Sequence, residues 1–321
     1  MKHKEALMEI SNVAVIGSGP AGYTAALYTA RANLDPVLIT GLSQGGQLTQ
    51  SSSVENWPGA SDFPSGLDLM ESMRLHVEKF SVRCVSDDVE SVARAEDGFA
   101  IALTDGSVIN ARAVIVATGS SARYLGLPGE DRFRGGGISA CATCDGFFFR
   151  KKTVAVIGGG NTAVTDALYL SNLAAQTHLI HRRDEFRCEK ILTDKLYQAV
   201  ESGKIRLHLS CVPLSFEGRE VLEGVRIRDL KTQEESLVAA DGVFEAIGHD
   251  PNTGFLGDLV ETDGGYIRLH PETGFSTATS VTGIFAAGDV ADHRYQQAIV
   301  AAGAGCRAAL DVEAFLGGRT V

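Results

Sequence analysis

Short runs of apolar residues alternate along the chain with segments in which apolar residues recur at helical spacing. The first run, Asn12–Ile16, is rich in β-branched residues and predicts a buried strand, and the Ala-rich sequence after it predicts a helix to about Asn33. Similar runs at Pro36–Thr40 and Ala113–Ala117 predict further buried strands, and the spacing of leucine, methionine and valine predicts a helix over 67–80. Apolar strands that alternate with helices are typical of an α/β protein.

The second half of the chain repeats this plan. The elements expected there are a strand at Thr153–Ile157, a helix to about Leu173, and strands at Thr177–Ile180, Ile205–Leu209, Val221–Arg228 and Gly242–Ile247. Each half closes with an apolar run that ends in Ala-x-Gly, at Ala117 to Gly119 and at Ala246 to Gly248. The chain therefore contains an internal repeat of one α/β unit.

The last part of the chain, from residue 249 onward, is too short for a third copy. It contains a run at Thr282–Ala287, which predicts a strand that ends in Gly288 and Asp289, and an Ala-rich helix from about Tyr295 to Leu316. We expect this tail to complete the first copy, with the second copy inserted in it. The predicted fold is thus α/β with two Rossmann-like dinucleotide domains, one formed by residues 1–120 and 249–321 and the other by residues 121–248.

Length and composition fit this plan and exclude several classes of protein. A chain of 321 residues is long enough for two domains, and 44% hydrophobic with 21% charged residues is ordinary for a globular protein. The net charge of −11 argues against nucleic acid or an anionic membrane as a partner. No apolar run approaches the ~18 residues of a membrane span, and Met1–Ile10 lacks the apolar core of a signal peptide. We therefore expect a cytoplasmic protein.

Each half opens with a glycine-rich motif placed between a predicted strand and a predicted helix. The first is Gly17-Ser18-Gly19-Pro20-Ala21-Gly22, and the second is Gly158-Gly159-Gly160-Asn161-Thr162-Ala163. In this position the glycines allow a tight turn and let backbone N–H groups approach a pyrophosphate at the helix N-terminus. Both motifs predict dinucleotide binding.

The ends of the following strands distinguish the two predicted sites. In the first half the strand ends in Thr40-Gly41, without the acidic residue that commonly binds the ribose of NAD. In the second half the corresponding strand runs into His181-Arg182-Arg183, with Arg187 close behind. Guanidinium groups bind phosphate through paired hydrogen bonds, so this pattern favours NADP over NAD. A solvated cluster of charges is the alternative reading of these arginines.

A pair of cysteines, Cys141 and Cys144, stands shortly before the second motif and is followed directly by Asp145. Such a pair can open and close a disulfide, and a carboxylic acid beside it can supply the proton that the leaving thiolate needs. Half of a zinc site is one alternative, which is disfavoured because no second pair exists to complete it, and inert buried thiols are another. The isolated cysteines are Cys84, Cys188, Cys211 and Cys306. We expect no metal site.

The next aromatic run, Phe147–Phe149, belongs either to the core or to a surface that meets a protein partner.

These motifs together resemble those of the low-molecular-weight, bacterial-type thioredoxin reductases, along essentially the whole chain. The segments that carry the resemblance are 17–22, 45–48, 55–59, 117–119, 141–148, 158–163, 181–183 and 286–290. The most specific segment is Cys-Ala-Thr-Cys-Asp inside the second nucleotide domain, because related disulfide oxidoreductases carry the cysteine pair in the FAD domain.

The resemblance implies FAD in the first domain, NADPH in the second, thioredoxin as the protein substrate and a homodimer as the assembly. The FAD contacts that it implies are Gly17, Gly19, Pro20, Ala21, Gly22, Thr40, Gly41, Gly46, Gln47, Leu48, Asn56, Ala117, Thr118, Gly119, Gly288, Asp289, Gln297 and Ala298. The NADPH contacts that it implies are Gly158, Gly160, Asn161, Thr162, His181, Arg182, Arg183, Arg187, Ile247 and Gly248. Among the implied catalytic residues, Cys144 meets the flavin, Cys141 attacks thioredoxin, and Asp145 donates a proton.

The mechanism implied by the resemblance is a relay. NADPH gives hydride to FAD, the reduced flavin opens the Cys141–Cys144 disulfide, and the dithiol exchanges with oxidised thioredoxin. In this family the NADPH domain rotates between the half-reactions, and we expect its hinges at residues 117–123 and 245–249. Three residues depart from the usual family pattern: Gln296 replaces a basic residue near the flavin, Glu185 replaces a glycine and Cys188 replaces an alanine near the NADP site.

Three other functions stay open at this point. The chain could reduce a different thiol protein, pass electrons from a dithiol to oxygen, or bind nucleotides as a regulator without turnover. The arginines of the second site argue against the oxidase, which needs no NADPH. The intact Cys141 and Cys144 argue against the regulator, because binding alone does not require them.

Overall fold

The structure is a computed structural model that describes residues 10–51, 53–62 and 64–319. The segment in which a signal peptide was sought, residues 1–9, lies outside the described residues. The chain forms two compact units: the first runs up to Ser121 and resumes at Asp250, and the second is Ala122–His249. The assignment of one nucleotide to each unit stays a prediction.

The described residues of each unit form both strands and α-helices. The strands are β1 (Ile10–Ile16), β2 (Pro36–Ile39), β3 (Arg83–Val85), β4 (Val89–Ala95), β5 (Gly98–Leu103), β6 (Val108–Val116), β7 (Ser120–Ala122), β8 (Ile138–Ser139), β9 (Thr153–Ile157), β10 (Gln176–His181), β11 (Ile205–Leu209), β12 (Cys211–Gly218), β13 (Leu222–Asp229), β14 (Glu235–Ala239), β15 (Gly242–Glu245), β16 (His249–Pro251), β17 (Thr262–Asp263), β18 (Tyr266–Ile267) and β19 (Ile284–Ala286). The α-helices are α1 (Pro20–Arg31), α2 (Gly66–Glu78), α3 (Glu130–Phe133), α4 (Ala142–Asp145), α5 (Asn161–Leu170), α6 (Lys190–Glu201) and α7 (Ala298–Leu316). Short 3₁₀ helices lie at Gly46–Gln50, Gly146–Phe149, Gly254–Leu256 and Pro271–Thr273.

A seven-stranded sheet in the order β3-β2-β1-β6-β5-β4, with β19 also paired to β6, is the centre of the first unit. Strands β1, β2, β3, β6 and β19 are parallel, and β4 and β5 are antiparallel additions. Strand β1 is buried on both faces: Val13 and Val15 pack in one hydrophobic cluster with residues of α1 and α7, and Ala14 and Ile16 pack in the other. This explains why the strand is a continuous apolar run and not an alternating one.

The second unit repeats the arrangement around a five-stranded parallel sheet in the order β11-β10-β9-β15-β8. An antiparallel sheet of β12, β13 and β14 accompanies it. The repeat extends to individual hydrogen bonds. The amide of Ala117 donates to Ile16 O at 2.8 Å, and the amide of Ala246 donates to Ile157 O at 2.9 Å. The predicted α/β class with parallel sheets is confirmed.

Three helix predictions needed correction, and the first concerns α5, which ends at Leu170 and not near Leu173. The C-terminal helix begins at Ala298 and not near Tyr295, because Gln296 has a left-handed φ of 47° and Gln297 is extended. Helix α1 ends at Arg31, since Asn33 also has a left-handed φ of 58°. Both residues interrupt the helical backbone within a sequence whose composition suits a helix.

The chain passes between the two units at two places, and each place is a short strand. These strands, β7 and β16, pair with each other in a two-stranded sheet. None of the helices within residues 10–51, 53–62 and 64–319 combines the length and apolar character needed to cross a membrane.

Candidate active site

The structure joins Cys141 and Cys144 in a disulfide bond. Cys141 is the residue that precedes helix α4, Cys144 lies within that helix, and their Cα atoms are 5.3 Å apart. Both side chains are partly exposed. The remaining cysteines, Cys84, Cys188, Cys211 and Cys306, are free thiols. In the part of the chain that the structure describes, no group of three or more His, Cys, Asp or Glu side chains is arranged to hold a metal ion.

Asp145 lies directly beside this disulfide and is held in the same turn. Its backbone amide donates to the carbonyl oxygen of Cys141 at 3.1 Å. Burial raises the pKa of the Asp145 carboxyl, and a hydrogen bond with the Ser139 side chain lowers it by a smaller amount. Ser139 also accepts a hydrogen bond of 3.0 Å from the amide of Cys141. The turn therefore brings together a disulfide and a carboxyl that holds its proton to a higher pH than usual.

The aromatic run after Asp145 is divided between the core and the surface. Phe149 is buried and packs edge-on against Phe244, with ring centroids 5.5 Å apart. Phe147 and Phe148 are 52% and 36% exposed. Phe149 thus anchors the segment in the core, while the two aromatic rings that follow the disulfide in sequence are exposed.

The first glycine motif lies between β1 and α1, and two of its glycines are required by close backbone contacts. A Cβ on Gly17 would lie 2.3 Å from the carbonyl oxygen of Ala117, and a Cβ on Gly22 would lie 1.8 Å from that of Gly17. Gly19 is different, because a Cβ there would meet no atom within 4 Å. Helix α1 has neither a side-chain cap nor an acidic residue in its first turn. Its N-terminus is therefore an open, positively polarised surface suited to a pyrophosphate.

The loops that follow β1, β2, β6 and β19 meet at the carboxyl edge of the parallel strands. Thr40 follows β2, and its hydroxyl donates to Gly41 O at 2.9 Å. Gly46 approaches Gly19, since a Cβ on Gly46 would lie 3.4 Å from the Gly19 Cα. Sequence reasoning missed Ser18, which is buried, donates to Thr40 O at 2.7 Å and accepts from Gly45 N at 3.0 Å. Ser18 therefore fixes the loops around the glycine motif, and no signal in the sequence distinguishes it.

Several polar side chains predicted to contact FAD already bond to this unit's own backbone or side chains. The Gln47 amide donates to Ser120 O, and the Asn56 amide donates to the Gln297 side chain at 3.3 Å. The Thr118 hydroxyl donates to Asn252 O at 2.7 Å. These bonds hold the loops in place. The other predicted residues of this unit are Leu48 in a 3₁₀ helix, Pro20 and Ala21 in the first turn of α1, Gly119 after β6 and Ala298 at the start of α7.

Gly288 and Asp289 follow β19, and Gly288 lies beside the first turns of α1 and α7. A Cβ on Gly288 would lie 3.0 Å from the Ala21 Cβ and 3.4 Å from the Ala301 Cβ. Burial, together with the charge of Asp292, raises the pKa of Asp289 to about 7. Asp289 is thus a half-buried carboxyl at the same edge of the sheet as the first glycine motif.

The second glycine motif lies between β9 and α5 and repeats the geometry of the first. A Cβ on Gly158 would lie 2.4 Å from the Ala246 carbonyl oxygen, whereas a Cβ on Gly160 would meet nothing within 4 Å. The ring of His181 covers Gly159, where a Cβ would lie 2.0 Å from the ring. Burial lowers the pKa of His181, so its ring stays neutral to a lower pH than usual. Thr162 lies in the first turn of α5, and Ile247 and Gly248 lie in the segment between β15 and β16.

Asn161, predicted as a cofactor contact, is engaged with the beginning of α6. Its Oδ1 accepts from the amide of Glu189 at 2.9 Å, and its Nδ2 donates to the Glu189 carboxylate at 3.3 Å. The side chain therefore holds the N-termini of α5 and α6 together.

A cleft of about 580 Å³ lies next to this motif and is lined by Arg182, Arg183, Asp184, Glu185, Phe186, Arg187, Ser210, Leu230 and Lys231. The guanidinium groups of Arg182, Arg183 and Arg187 form no ion pair with any described residue, whereas Asp184 pairs with Lys231 at 3.0 Å. Unpaired guanidinium groups around an open cleft suit a phosphate group. Sequence reasoning found the arginines and missed Ser210 and Lys231.

Comparison with known proteins gives a family for this arrangement. The model of the pyridine nucleotide-disulphide oxidoreductases matches residues 11–305. A thioredoxin reductase of Escherichia coli O157:H7 is 52% identical over 312 residues, which are 96% of this chain and 97% of the relative. The crystal structure of a thioredoxin reductase from Streptococcus pyogenes MGAS5005 is similar with a TM-score of 0.88 at 36% identity, covering 97% of this chain and 99% of that one.

One relative carries a different name. A glucosaminate ammonia-lyase of Pseudomonas fluorescens is 53% identical over 311 residues, which are 96% of both chains. Identity of this size over the full length shows common descent, and it does not by itself separate the two activities.

Proposed function

The chain belongs to the pyridine nucleotide-disulphide oxidoreductase family and within it to the thioredoxin reductases, and we propose that it reduces the disulfide of oxidised thioredoxin. The resemblance found in the sequence motifs is thereby confirmed. The enzyme is a disulfide oxidoreductase that uses FAD and NADPH. We propose the residues that bind each cofactor and the way in which the disulfide is used.

The observation that carries the proposal is the Cys141–Cys144 disulfide with the Asp145 carboxyl beside it. A disulfide formed by two partly exposed cysteines in one short turn is accessible to exchange. A neighbouring carboxyl with a raised pKa can hold a proton for the sulfur that leaves. Two exposed aromatic rings, Phe147 and Phe148, offer apolar surface next to the reacting sulfurs.

We assign FAD to the first unit. Its glycine motif presents the uncapped N-terminus of α1, and the space at Gly19 is free of protein atoms. Both features suit the pyrophosphate of a dinucleotide. Asp289, at the same edge of the sheet, is a half-buried carboxyl for which we find no hydrogen-bond partner among the described residues, and it would accept hydroxyl groups of the bound cofactor.

We assign NADPH to the second unit. The space at Gly160 is open in the same way, and the cleft beside it carries three guanidinium groups that form no ion pair with any described residue. A guanidinium cluster at the end of the second strand would bind the 2′-phosphate that distinguishes NADPH from NADH.

When bound, the two cofactors supply the pair of electrons that enters the chain's disulfide. Those electrons break the Cys141–Cys144 bond, Asp145 donates a proton to the sulfur that leaves, and solvent supplies the second proton of the dithiol. Cys141 then loses its proton and attacks a sulfur of the oxidised partner, the partner's other sulfur leaves and takes up that proton, and a mixed disulfide forms. Attack by Cys144 resolves it, restores the original disulfide and releases the partner with two more electrons and two more protons.

We further propose that the enzyme is a cytoplasmic homodimer whose partner is a thioredoxin, with neither nucleic acid nor a membrane as a ligand. The resemblance supports the homodimer, and the net charge of −11 is unfavourable for anionic partners. The hinge motion of the family would be carried by β7 and β16, where the chain passes between the units.

The relative named as a glucosaminate ammonia-lyase provides a second candidate activity, the elimination of ammonia from glucosaminate. That reaction makes no use of a disulfide. Replacement of a disulfide cysteine therefore separates the two candidates.

The test is anaerobic NADPH consumption with and without oxidised thioredoxin, using the wild type, Cys144→Ser and the control Cys84→Ser. Cys84 is exposed and unpaired in the first unit. We expect thioredoxin-dependent turnover in the wild type and in Cys84→Ser, and none in Cys144→Ser. Flavin reduction without thioredoxin turnover would identify a different disulfide partner. Ammonia release from glucosaminate that survives Cys144→Ser, with no disulfide turnover, would favour the lyase.

A further inference from the structure

The cleft of the second unit has a second wall, which contains Ser210 and Lys231. Both residues are remote from the arginines in sequence. Ser210 connects β11 to β12, is buried, and has a left-handed φ of 54°. A residue other than glycine is strained in this conformation, which persists only where its surroundings enforce it. The position is therefore held by specific contacts.

Those contacts join the arginine loop to the second wall. The amide of Ser210 donates to Arg183 O at 3.1 Å, and its carbonyl accepts from the amide of Leu230 at 2.7 Å. Its hydroxyl donates to the carboxylate of Asp184. One residue thus fixes both the backbone of Arg183 and the side chain that follows it.

Lys231 completes this arrangement from the turn after β13. Its ammonium group lies 3.0 Å from the Asp184 carboxylate. The turn itself is fixed, because Asp229 Oδ1 accepts from the amides of Lys231 at 2.7 Å and Thr232 at 3.0 Å. The lysine is therefore presented to Asp184 by an ordered turn.

The charge of Asp184 matters for any anion that enters the cleft. Hydrogen bonds from Ser210 and then from Lys231 lower the pKa of Asp184, so the carboxylate is ionised at neutral pH. It follows Arg183 directly in sequence. Without a countercharge, this carboxylate would repel a phosphate dianion bound by the neighbouring guanidinium groups.

We infer that Lys231, fixed with Asp184 by Ser210, determines the preference of the cleft for a nucleotide 2′-phosphate by neutralising the carboxylate that would oppose it. Lys231 is a positioning and compensating residue that acts through Asp184. The inference rests on the proposed binding of NADPH in this unit, and it names a specificity residue outside the arginine cluster.

The test is calorimetric binding of adenosine 2′,5′-bisphosphate and of adenosine 5′-monophosphate to the full-length, FAD-loaded protein. The variants are Lys231→Met, Asp184→Asn, the double variant and the control Lys204→Met. Lys204 is an exposed lysine at the opposite end of β11. Asparagine at position 184 keeps an oxygen that can accept the Ser210 hydrogen bond.

We expect Lys231→Met to weaken the bisphosphate about three- to five-fold, as an exposed charge pair allows, with no change for the monophosphate. The double variant should recover most of that loss, and Lys204→Met should match the wild type. Unchanged bisphosphate affinity in Lys231→Met, or a double variant as weak as Lys231→Met, would overturn the inference and leave the arginine assignment standing. A wild type that does not distinguish the two nucleotides would instead overturn the NADPH assignment.

Discussion

The amide of Arg187 donates a hydrogen bond of 2.8 Å to the carbonyl oxygen of Gly159. This bond ties the end of the arginine loop to the middle of the second glycine motif. The ring of His181, at the start of the same loop, covers Gly159 from the side. The glycine motif and the arginine loop, which we propose for the pyrophosphate and the 2′-phosphate, are thus joined through the backbone, and this bond would fix the distance between the two phosphates.

The first prediction concerns this loop. Replacement of Arg182 and Arg183 by alanine should raise the KM for NADPH at least tenfold and leave that for NADH within about twofold, because charge-assisted hydrogen bonds to phosphate contribute about 1.5–3 kcal/mol each. Steady-state kinetics with both nucleotides measure this. Arg219→Ala, which removes an exposed arginine of the turn between β12 and β13, should change neither constant. An equal rise for both nucleotides would contradict the phosphate assignment.

The second prediction concerns the proton at the disulfide. Asp145→Asn should slow disulfide turnover at least about a hundredfold, which is the lower end of the range usual for loss of a general acid, while the FAD content stays that of the wild type. Because the carboxyl acts in its protonated form and its pKa is raised, wild-type turnover should fall as the pH rises through that pKa. The asparagine variant should lack this decline. Asp194→Asn, on the exposed surface of α6, is the control, and unchanged turnover in Asp145→Asn would remove the carboxyl from the mechanism.

The third prediction separates a glycine that serves the fold from one that serves the ligand. Gly22→Ala should destabilise the first unit, because the added Cβ would lie 1.8 Å from the Gly17 carbonyl oxygen. Gly19→Ala should leave the thermal stability of the FAD-free protein unchanged, since nothing lies within 4 Å. The same substitution should lower the FAD content after purification, because the methyl group would enter the space that we assign to the pyrophosphate. Full FAD retention in Gly19→Ala would contradict that assignment.

The glycine motifs and the strands before them could be predicted from the sequence because their signals are local. A buried apolar run followed by closely spaced glycines allows few backbone arrangements, and both halves of the chain show the same one. The contact between Gly158 and Ala246 then follows from the repeat, since the corresponding contact joins Gly17 and Ala117.

Other parts of the site could not be predicted, because their partners are remote in sequence. The amide of Asn161 is bonded to Glu189, which a motif cannot reveal. Ser210 and Lys231 join the cleft through loops that only the folded sheet brings together, and a serine in the left-handed region has no signature in sequence.

The last prediction concerns Glu245, the final residue of β15, which lies just before the chain leaves the second unit. Its side chain is 1% exposed. One carboxyl oxygen accepts from the amide of Leu125 at 2.9 Å, and the other has no hydrogen-bond partner among the described residues. Burial, and then the charge of nearby Glu130, raise the pKa of Glu245 to about 7, while Arg134 opposes this rise. Glu130 itself pairs with Arg134 at 3.0 Å.

This pKa sets the sign of a stability change with pH. The pKa of Glu245 is 4.5 in the unfolded chain and about 7 in the folded chain, so folding favours the protonated form. The contribution is fully present below the unfolded pKa and is lost as the pH rises through the folded pKa. Since Gln stays neutral and keeps an acceptor for Leu125, Glu245→Gln should be more stable than the wild type at pH 8 and nearly equal to it at pH 5. The shift limits the difference to about 3 kcal/mol.

Thermal or urea unfolding of both proteins across this pH range measures the difference directly, and subtraction removes the titration of all other groups that the two proteins share. Glu223→Gln, an exposed glutamate on β13, should follow the wild type at every pH. If Glu245→Gln also followed the wild type, the carboxyl would be ionised in the folded protein at little cost, and the buried arrangement with Glu130 and Arg134 would not act as a proton-sensitive contact. A stability gain that grows between pH 5 and pH 8 would instead place a titrating carboxyl at the point where the chain leaves the second unit.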